Sequence, residues 1–385
     1  MRKFIHLSQP SFDKLEEKEI IKTLRSGWIT LGPKTKEFEE KFANYVGSRY
    51  AVGVTSCTAA LHLSLLAGGI VRDDEVITTI FTFAATANVI IHVGAKPVFV
   101  DIDQKTFNID PSKIEEKITL KTKAIIPMHY GGQPAAMESI AKIAKKYKLN
   151  VIEDAATTVG AKYKGKRIGN TDYFACFSFH PIKNMSTGDG GMITTNSKKY
   201  AERLTLLRLH GMSKEAWKRH SASGSWKYDI LYPGYKYNMS DIQAALGLHQ
   251  LKKLDRFIKI RQKYASMYDE AFSKIKEITT PYVSPDVLHA RNLYTILVAT
   301  EKLKITRDEL VDKLKESQIG CSVYYIPLYE FSYYKKNYSL KSKDFPVADG
   351  VYKHMISIPI YPKMTKEDVY YVINTLSDLI TKNRK

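Results

Sequence analysis

The sequence has few cysteines and no long apolar run. Its three cysteines, Cys57, Cys176 and Cys321, lie far apart and form no CxxC pair. An odd, sparse set of this kind indicates buried thiols in a reducing compartment rather than a disulfide framework. No segment approaches the roughly 20 apolar residues of a membrane span, and the first residues turn polar too soon for a signal peptide. We therefore expect a cytoplasmic protein without a membrane partner.

Several motifs that define common enzyme classes are also missing. The chain has no GxGxxG after a strand and no GxxxxGK[ST], which leaves dinucleotide-binding and P-loop folds without support. It has no GxSxG around a nucleophilic serine and no Cys/His cluster at metal-ligand spacing. We therefore predict neither a hydrolase of that type nor a metal site.

Acidic residues are scarce relative to basic ones. With 59 Lys and Arg against 40 Asp and Glu, the formal net charge is +19. Such an excess can indicate a nucleic-acid partner, but the lysines are scattered, and the densest groups, at 145–148 and 333–343, resemble solvated helix and loop faces. We therefore expect no nucleic-acid partner, and interpret the positive field as one that steers an anionic small molecule.

Strand-like and helix-like segments alternate between residues 50 and 200. Apolar runs of about five residues, such as EVITT and NVIED, are separated by helical segments, which is typical of an α/β fold with a mostly parallel sheet covered on both faces. A helix is also predicted for PSKIEEKI, and one or two long helices after Ser240. We predict a large domain over residues 1–250 and a smaller C-terminal α+β domain over 251–385.

Lys183 lies between two strand-like segments, in CFSFHPIKNMSTGDGGMITTN. Ligands of such sheets bind at the carboxyl ends of the strands, and a lysine buried there is less basic and more nucleophilic. This suits a Schiff base with a carbonyl compound or with pyridoxal phosphate (PLP). Surface lysines are far more numerous than catalytic ones, so Lys183 alone does not establish a Schiff-base site.

Asp154 ends the strand-like NVIED, one predicted strand before Lys183. A carboxylate there could keep the pyridine nitrogen of PLP protonated, which makes the ring a better electron sink. The alternative is an ordinary N-cap of a helix formed by the segment AATTVG that follows.

The strand-to-helix step TSCTAALHLSL offers a phosphate cradle, because helix N-termini and hydroxyls bind phosphate. Thr58 belongs to this step and Ser178 provides a second hydroxyl, although the step could also be an ordinary capped helix. Phe83 could stack on the pyridine ring or belong to the core. The Gly-Asp-Gly-Gly run at 188–191 is expected to be a turn back to the next strand.

Taken together, these motifs resemble the DegT-type sugar-nucleotide aminotransferases, a family of fold type I PLP-dependent enzymes. The strand ending in Asp-Ala-Ala, the Ser-Phe-His-Pro-Ile-Lys-Asn step and the Gly-acid-Gly-Gly turn form a specific combination. The segments SGWITLGPKTKEFEEKFANYVG, RDDEVITTIFTFAATAN and PGYKYNMSDIQAALGLHQL extend the resemblance to nearly the whole chain. It looks close to the UDP-4-amino-4-deoxy-sugar aminotransferases.

The resemblance implies an aminotransferase that uses PLP and cycles it through pyridoxamine phosphate (PMP). Lys183 would bind PLP as a Schiff base and move the proton between Cα and C4′, and Asp154 would pair with the pyridine nitrogen. The other implied cofactor-binding residues are Cys57, Thr58, Ala59 and Ser178 at the phosphate, Phe83 and Thr157 at the ring, and Lys236 or Asn238 at the phosphate of a neighbouring subunit.

The resemblance also implies a homodimer with composite sites, L-glutamate as donor and a nucleotide-linked 4-keto sugar, of the 6-deoxy type, as acceptor. Amination at C3, a cyclitol acceptor and a PLP-binding regulator without turnover remain alternatives. A loop over residues 210–238 would cover the nucleotide sugar or be a basic surface loop; it contains Trp217, Arg219, Trp226 and Lys227.

The chain departs from the family pattern mainly around the substrate. Thr157 replaces a usual His or Gln, and Tyr324 and Tyr329 stand where histidines often occur. None of these changes affects Lys183 or Asp154. Since a lysine is kept where some members have histidine, the resemblance favours transamination over dehydration.

Overall fold

A seven-stranded sheet forms the centre of the larger unit in the computed structural model, which describes residues 3–213 and 228–385. Neighbouring strands pair in parallel except for the second, which is antiparallel to both of its neighbours. This confirms the predicted mostly parallel sheet. In spatial order the strands are β1 (Tyr50–Val54), β9 (Gly191–Thr195), β8 (Phe174–Ser178), β5 (Asn150–Asp154), β4 (Thr122–Ile126), β2 (Glu75–Thr79) and β3 (Lys96–Val100).

Helices connect these strands and cover the sheet. All residues of β8 and β9 are buried, as expected for short apolar runs with helices on both faces. The helices of this unit are α1 (Lys14–Arg25), α2 (Pro33–Val46), α3 (Cys57–Ala67), α4 (Ala84–His92), α5 (Met137–Tyr147) and α6 (Lys198–Leu207).

The helix predicted for PSKIEEKI is wrong. The segment forms two 3₁₀ turns, Pro111–Lys113 and Glu115–Lys117, and neither contains a buried residue. Ile114, between the turns, is the fully buried anchor. A single apolar anchor in so short a segment does not offset the cost of nucleating an α-helix.

One continuous helix, α7 (Asp241–Phe272), follows residue 240. Ser240 caps it, and the Gln243 side chain accepts a hydrogen bond from the Ser240 amide in return. The predicted domain boundary at residue 250 falls inside this helix. Its packing changes between Ile258, in a core shared with β8 and β9, and Tyr264, in the core of the smaller unit.

The smaller unit is built on a three-stranded antiparallel sheet. Ile5 is buried in its core and pairs with Ile319, so the N-terminal segment contacts this unit. The sheet contains β10 (Ile278–Thr279), β12 (Tyr294–Val298) and β13 (Met355–Ile358), and the helices are α8 (Arg307–Glu316), α9 (Ser332–Tyr338), α10 (Pro346–His354) and α11 (Lys366–Lys382).

A third small sheet joins the two units. Its strands are β11 (Val287–Leu288), β6 (Lys162–Tyr163) and β7 (Lys166–Arg167). Across residues 3–213 and 228–385, no helix combines the length and the apolarity needed to cross a membrane.

Candidate active site

A cleft with a volume of about 340 Å³ opens at the carboxyl ends of β5 and β8. In the described part of the chain, Ala59, Lys236 and Asn238 do not line it. The other predicted residues are brought together there: Cys57, Thr58, Phe83, Asp154, Thr157, Ser178 and Lys183.

Lys183 lies in the loop that joins β8 to β9. The loop is closed at its base, where the Phe179 amide donates to the Gly190 carbonyl at 2.9 Å, so the glycine-rich run is the predicted return turn. Burial lowers the pKa of Lys183, and the charge of Asp154 opposes this shift. The amine is therefore neutral more often than that of an exposed lysine, and neutral amine is the form that acts as nucleophile or base.

Asp154 is 5% exposed at the end of β5 and borders the cleft. Its Oδ1 accepts a hydrogen bond from the Ala156 amide at 3.2 Å, which closes a turn. Residues 155–161 form no helix, so the alternative role as a helix cap is not what the structure shows. Its Oδ2 accepts a hydrogen bond from Thr86 Oγ1 at 2.7 Å. The sequence analysis did not identify Thr86, because a threonine in the first turn of a helix carries no distinguishing signal.

The start of α3 faces the same cleft. Ser56 caps the helix by accepting a hydrogen bond from the Ala59 amide at 3.1 Å, so a phosphate-binding role for Ala59 stays a prediction. The amides of Cys57 and Thr58 belong to the first turn, where a helix provides no carbonyl partner. Because Thr58 is exposed, its amide and hydroxyl are available to an anion.

Gly191 packs directly behind this helix start. A Cβ at this position would lie 2.5 Å from the Ser56 carbonyl and 2.7 Å from the Cys57 amide nitrogen. The absence of a side chain thus allows β9 to approach the first turn of α3. This close contact holds the turn against the sheet.

The donor set of the cleft fits PLP. A buried carboxylate, a lysine with a lowered pKa and the amide-rich start of a helix face one cavity, as a pyridine nitrogen, an aldehyde and a phosphate require. Ser178 adds a buried hydroxyl at the end of β8. Phe83 immediately precedes α4, lines the cleft and is 62% exposed, so its ring is accessible to a planar ligand.

The smaller unit completes the opposite wall with residues that the sequence analysis had not placed at the site. Tyr325 lies there, its ring centroid 6.4 Å from that of Phe83. Asn292 also lies there, and its side chain donates to the Ile182 carbonyl at 3.2 Å and to Asn184 Oδ1 at 3.1 Å. Asn292 therefore braces the loop that carries Lys183.

Tyr324 and Tyr329, which the resemblance places at usual histidine positions, lie in different surroundings. Tyr324 lines the cleft. Tyr329 is buried elsewhere, and its hydroxyl donates to Asp349 Oδ1 at 3.1 Å. Only Tyr324 is therefore placed to contact a ligand in this cleft.

Thr157 lines the cleft, but its hydroxyl donates to the main-chain carbonyl of His129 at 2.5 Å. The His129 ring is fully buried: its Nδ1 accepts from the Ala135 amide at 3.0 Å, and its Nε2 lies 3.0 Å from Glu153 Oε2. Both ring nitrogens of His129 therefore have partners in the core. The single hydroxyl proton of Thr157 is used in its hydrogen bond to the main chain.

Lys236 and Asn238 contact each other and do not line this cleft. Lys236 Nζ donates to Asn238 Oδ1 at 2.7 Å, and Asn238 pairs with Val54 at the end of β1. Their predicted role at a neighbouring subunit stays a prediction. The residues expected to cover the nucleotide sugar, Trp217, Arg219, Trp226 and Lys227, lie outside the described residues.

The fold and the site define a class of enzyme. The mostly parallel sheet has a buried carboxylate at the end of one strand and a lysine in the loop after the adjacent strand, beside an exposed helix start. This is the architecture of a PLP-dependent transferase of fold type I.

Comparison with known proteins identifies the family within this class. Residues 10–377 match the DegT/DnrJ/EryC1/StrS aminotransferase family. MJ1066 of Methanocaldococcus jannaschii is 51% identical over 381 residues, 99% of each chain. The spore coat polysaccharide biosynthesis protein SpsC of Bacillus subtilis is 48% identical over 378 residues, 98% of this chain and 97% of SpsC.

A solved structure agrees with this result. Spr1654 of Streptococcus pneumoniae, assigned as a sugar aminotransferase, matches in its PMP form with a TM-score of 0.91 and 33% identity, covering 98% of this chain and 99% of Spr1654. Its PLP form matches with a TM-score of 0.90. The chain belongs to the DegT/DnrJ/EryC1/StrS aminotransferase family, which confirms the predicted fold, enzyme class and PLP cofactor.

Proposed function

We propose that this enzyme transfers the amino group of L-glutamate to a nucleotide-linked 4-keto sugar, giving the 4-amino sugar and 2-oxoglutarate. The observation that carries the proposal is the presence of Lys183, Asp154 and the start of α3 in one cleft. Membership of an aminotransferase family supports amino transfer. The assignment of SpsC to polysaccharide biosynthesis supports a sugar acceptor.

In this proposal the cleft holds PLP through several groups of the chain. When bound, PLP supplies an electron sink for the negative charge that develops at Cα of the amino donor. Asp154 would accept a hydrogen bond from the protonated pyridine nitrogen. Thr58, Ser178 and the amides at the start of α3 would bind the phosphate, with Phe83 against the ring.

Lys183 would hold the cofactor covalently between turnovers and then act as the base and acid. Its lowered pKa makes the neutral amine available to remove a proton. The ammonium form returns that proton to the neighbouring atom. One residue is sufficient for both half-reactions, because amination of the ketone reverses the chemistry of deamination of glutamate.

We further propose a homodimer in which Lys236 or Asn238 reaches the phosphate bound by the other subunit. Their position outside this chain's cleft supports a contact across an interface. We place the enzyme in the cytoplasm, since its three buried cysteines are free thiols. The net charge of +19 suits the anionic cofactor, donor and sugar diphosphate.

The direct test is an assay with PLP, glutamate and a panel of UDP-, dTDP- and GDP-linked 4-keto and 3-keto sugars and a cyclitol ketone, read by mass spectrometry. We expect a 4-amino product together with 2-oxoglutarate. Lys183→Ala should abolish both products, whereas Lys198→Ala, which alters an exposed lysine on α6, should not.

Each other outcome has a defined meaning. A product from 3-keto sugars alone would move the site of amination to C3, and a product from a cyclitol ketone alone would replace the acceptor. If the protein takes up PLP but glutamate never converts it to PMP, the alternative of a non-catalytic PLP-binding regulator is correct.

A further inference from the structure

Thr86 contacts the carboxylate of Asp154 from a fully buried position in the first turn of α4. Its Oγ1 lies 2.7 Å from Asp154 Oδ2 and 2.7 Å from the Thr82 hydroxyl. Thr82 is itself buried and lines the cleft. Two threonine hydroxyls therefore connect the cleft wall to the carboxylate.

The direction of these hydrogen bonds follows from the chemistry of the groups. An ionised carboxylate can only accept, so Thr86 donates its single hydroxyl proton to Asp154. The Thr86 oxygen is then left to accept, and Thr82 donates to it. Both bonds point toward the carboxylate, and donors aligned in this way strengthen the last bond of the chain.

The other oxygen of Asp154 has weaker contacts. Its Oδ1 accepts from the Ala156 amide at 3.2 Å, and the Cys57 thiol lies 4.0 Å away. Among the described residues, the Thr86 hydroxyl is therefore the closest hydrogen-bond donor to this carboxylate.

We propose that Thr86 is a positioning residue that keeps Asp154 ionised and oriented. The proton between the Asp154 carboxylate and the pyridine nitrogen of the cofactor then stays on the nitrogen. This inference rests on the proposed function, in which Asp154 faces that nitrogen. A buried carboxylate that loses a hydrogen-bond donor holds a proton more tightly. Without the Thr86 hydroxyl, the proton moves toward Asp154 and the ring becomes a weaker electron sink.

Thr86→Val removes the hydroxyl and keeps the branched shape, whereas Thr86→Ser keeps the hydroxyl. Thr78→Val is the matched control, because Thr78 is equally buried and its hydroxyl donates to the Ile126 carbonyl at 2.8 Å, away from the cleft. Asp154→Asn is the reference for loss of the carboxylate. Each protein is loaded with PLP carrying nitrogen-15 in the ring, and the chemical shift of the label is measured together with kcat and KM for glutamate.

We expect the wild type, Thr86→Ser and Thr78→Val to show the shift of a protonated nitrogen. Thr86→Val should move toward the shift of the neutral ring, as Asp154→Asn does. A hydrogen bond to a charged group corresponds to a roughly tenfold to hundredfold change in the proton distribution, and kcat should fall by about the same factor while KM changes little.

A wild-type shift and kcat in Thr86→Val, with a neutral ring in Asp154→Asn, would overturn the role of Thr86 and leave the proposed function intact. A protonated ring in Asp154→Asn would show that Asp154 does not face the nitrogen. The role of Thr86 would then fail together with the role proposed for Asp154, while amino transfer from glutamate would be decided by the product assay alone. Should Thr86→Val not fold, Thr82→Val is measured instead. It removes the outer donor, so a smaller shift in the same direction supports the inference and no shift rejects it.

Discussion

Replacing Gly191 with alanine should weaken both PLP binding and the fold. A Cβ there would lie 2.5 Å from the Ser56 carbonyl, whereas ordinary contact begins at 3.4 Å. The start of α3 and β9 would therefore have to separate by about 0.9 Å, the difference between these two distances. The segment that moves contains the amides of Cys57 and Thr58, which we expect to bind the phosphate.

The size of the effect follows from hydrogen-bond geometry. A displacement of this size stretches a typical bond of about 2.9 Å beyond about 3.5 Å, where it no longer contributes. One lost bond to a charged phosphate corresponds to about 1.5–3 kcal/mol, or roughly tenfold to hundredfold weaker binding. The crowding itself should lower the free energy of unfolding of the apoprotein by about 1–3 kcal/mol.

The two effects are measured separately, by titrating the apoprotein with PLP and by unfolding it in urea. Gly350→Ala is the matched control: this glycine lies in α10, and a Cβ there would meet open space. That variant should gain roughly 0.5–1 kcal/mol of stability without a change in Kd for PLP. A folded Gly191→Ala protein with the wild-type Kd would refute the reasoning, because the start of α3 would then not be the phosphate site.

Three further perturbations test other parts of the molecule. Lys183 of the apoprotein should react with PLP with a pH midpoint below the ordinary lysine pKa of 10.5, because burial lowers its pKa. The midpoint should fall further in Asp154→Asn, which removes the charge that opposes this shift. An unchanged midpoint in that variant would contradict the electrostatic contact between Asp154 and Lys183. Burial also lowers the pKa of His289 well below 6.5, so the unfolded state binds the extra proton. Stability should therefore fall as the pH drops below about 6.5, by at most about 1.4 kcal/mol per pH unit, and His289→Gln should flatten that slope in urea unfolding. Arg261 is buried and donates to three main-chain carbonyls. Arg261→Met should therefore lower the free energy of unfolding by about 2–4 kcal/mol in the same urea assay. The control Arg256→Met, on the exposed face of α7, should change that free energy by less than about 0.5 kcal/mol.

The sequence was sufficient to predict the groups whose surroundings are local. Asp154 ends a short apolar run and Lys183 lies in the loop just after the next one, and the length of such runs indicates where a buried strand stops. The turn at 188–191 was predictable as well, since its glycines lie immediately before and at the start of the next strand.

The supporting groups could not be predicted, because tertiary packing places them. Thr86 reaches Asp154 from a helix 68 positions earlier in the chain, and Asn292 reaches Asn184 from 108 positions later. Neither residue differs locally from an ordinary helical threonine or a loop asparagine. The helix predicted for PSKIEEKI was wrong for a related reason. Its composition favours a helix, but Ile114 is its only fully buried residue, so tertiary packing does not stabilise one.

The continuity of α7 limits how the cleft can open. Its 32 residues form an unbroken rod about 48 Å long at 1.5 Å per residue, with one end embedded in each unit's core. A hinge between the units would have to break buried helical hydrogen bonds in the middle of this rod. We therefore expect Tyr324 and Asp154, on opposite walls, to keep a nearly constant separation during turnover. The fit of the acceptor would then depend on the width of the cleft, which is fixed when the protein folds.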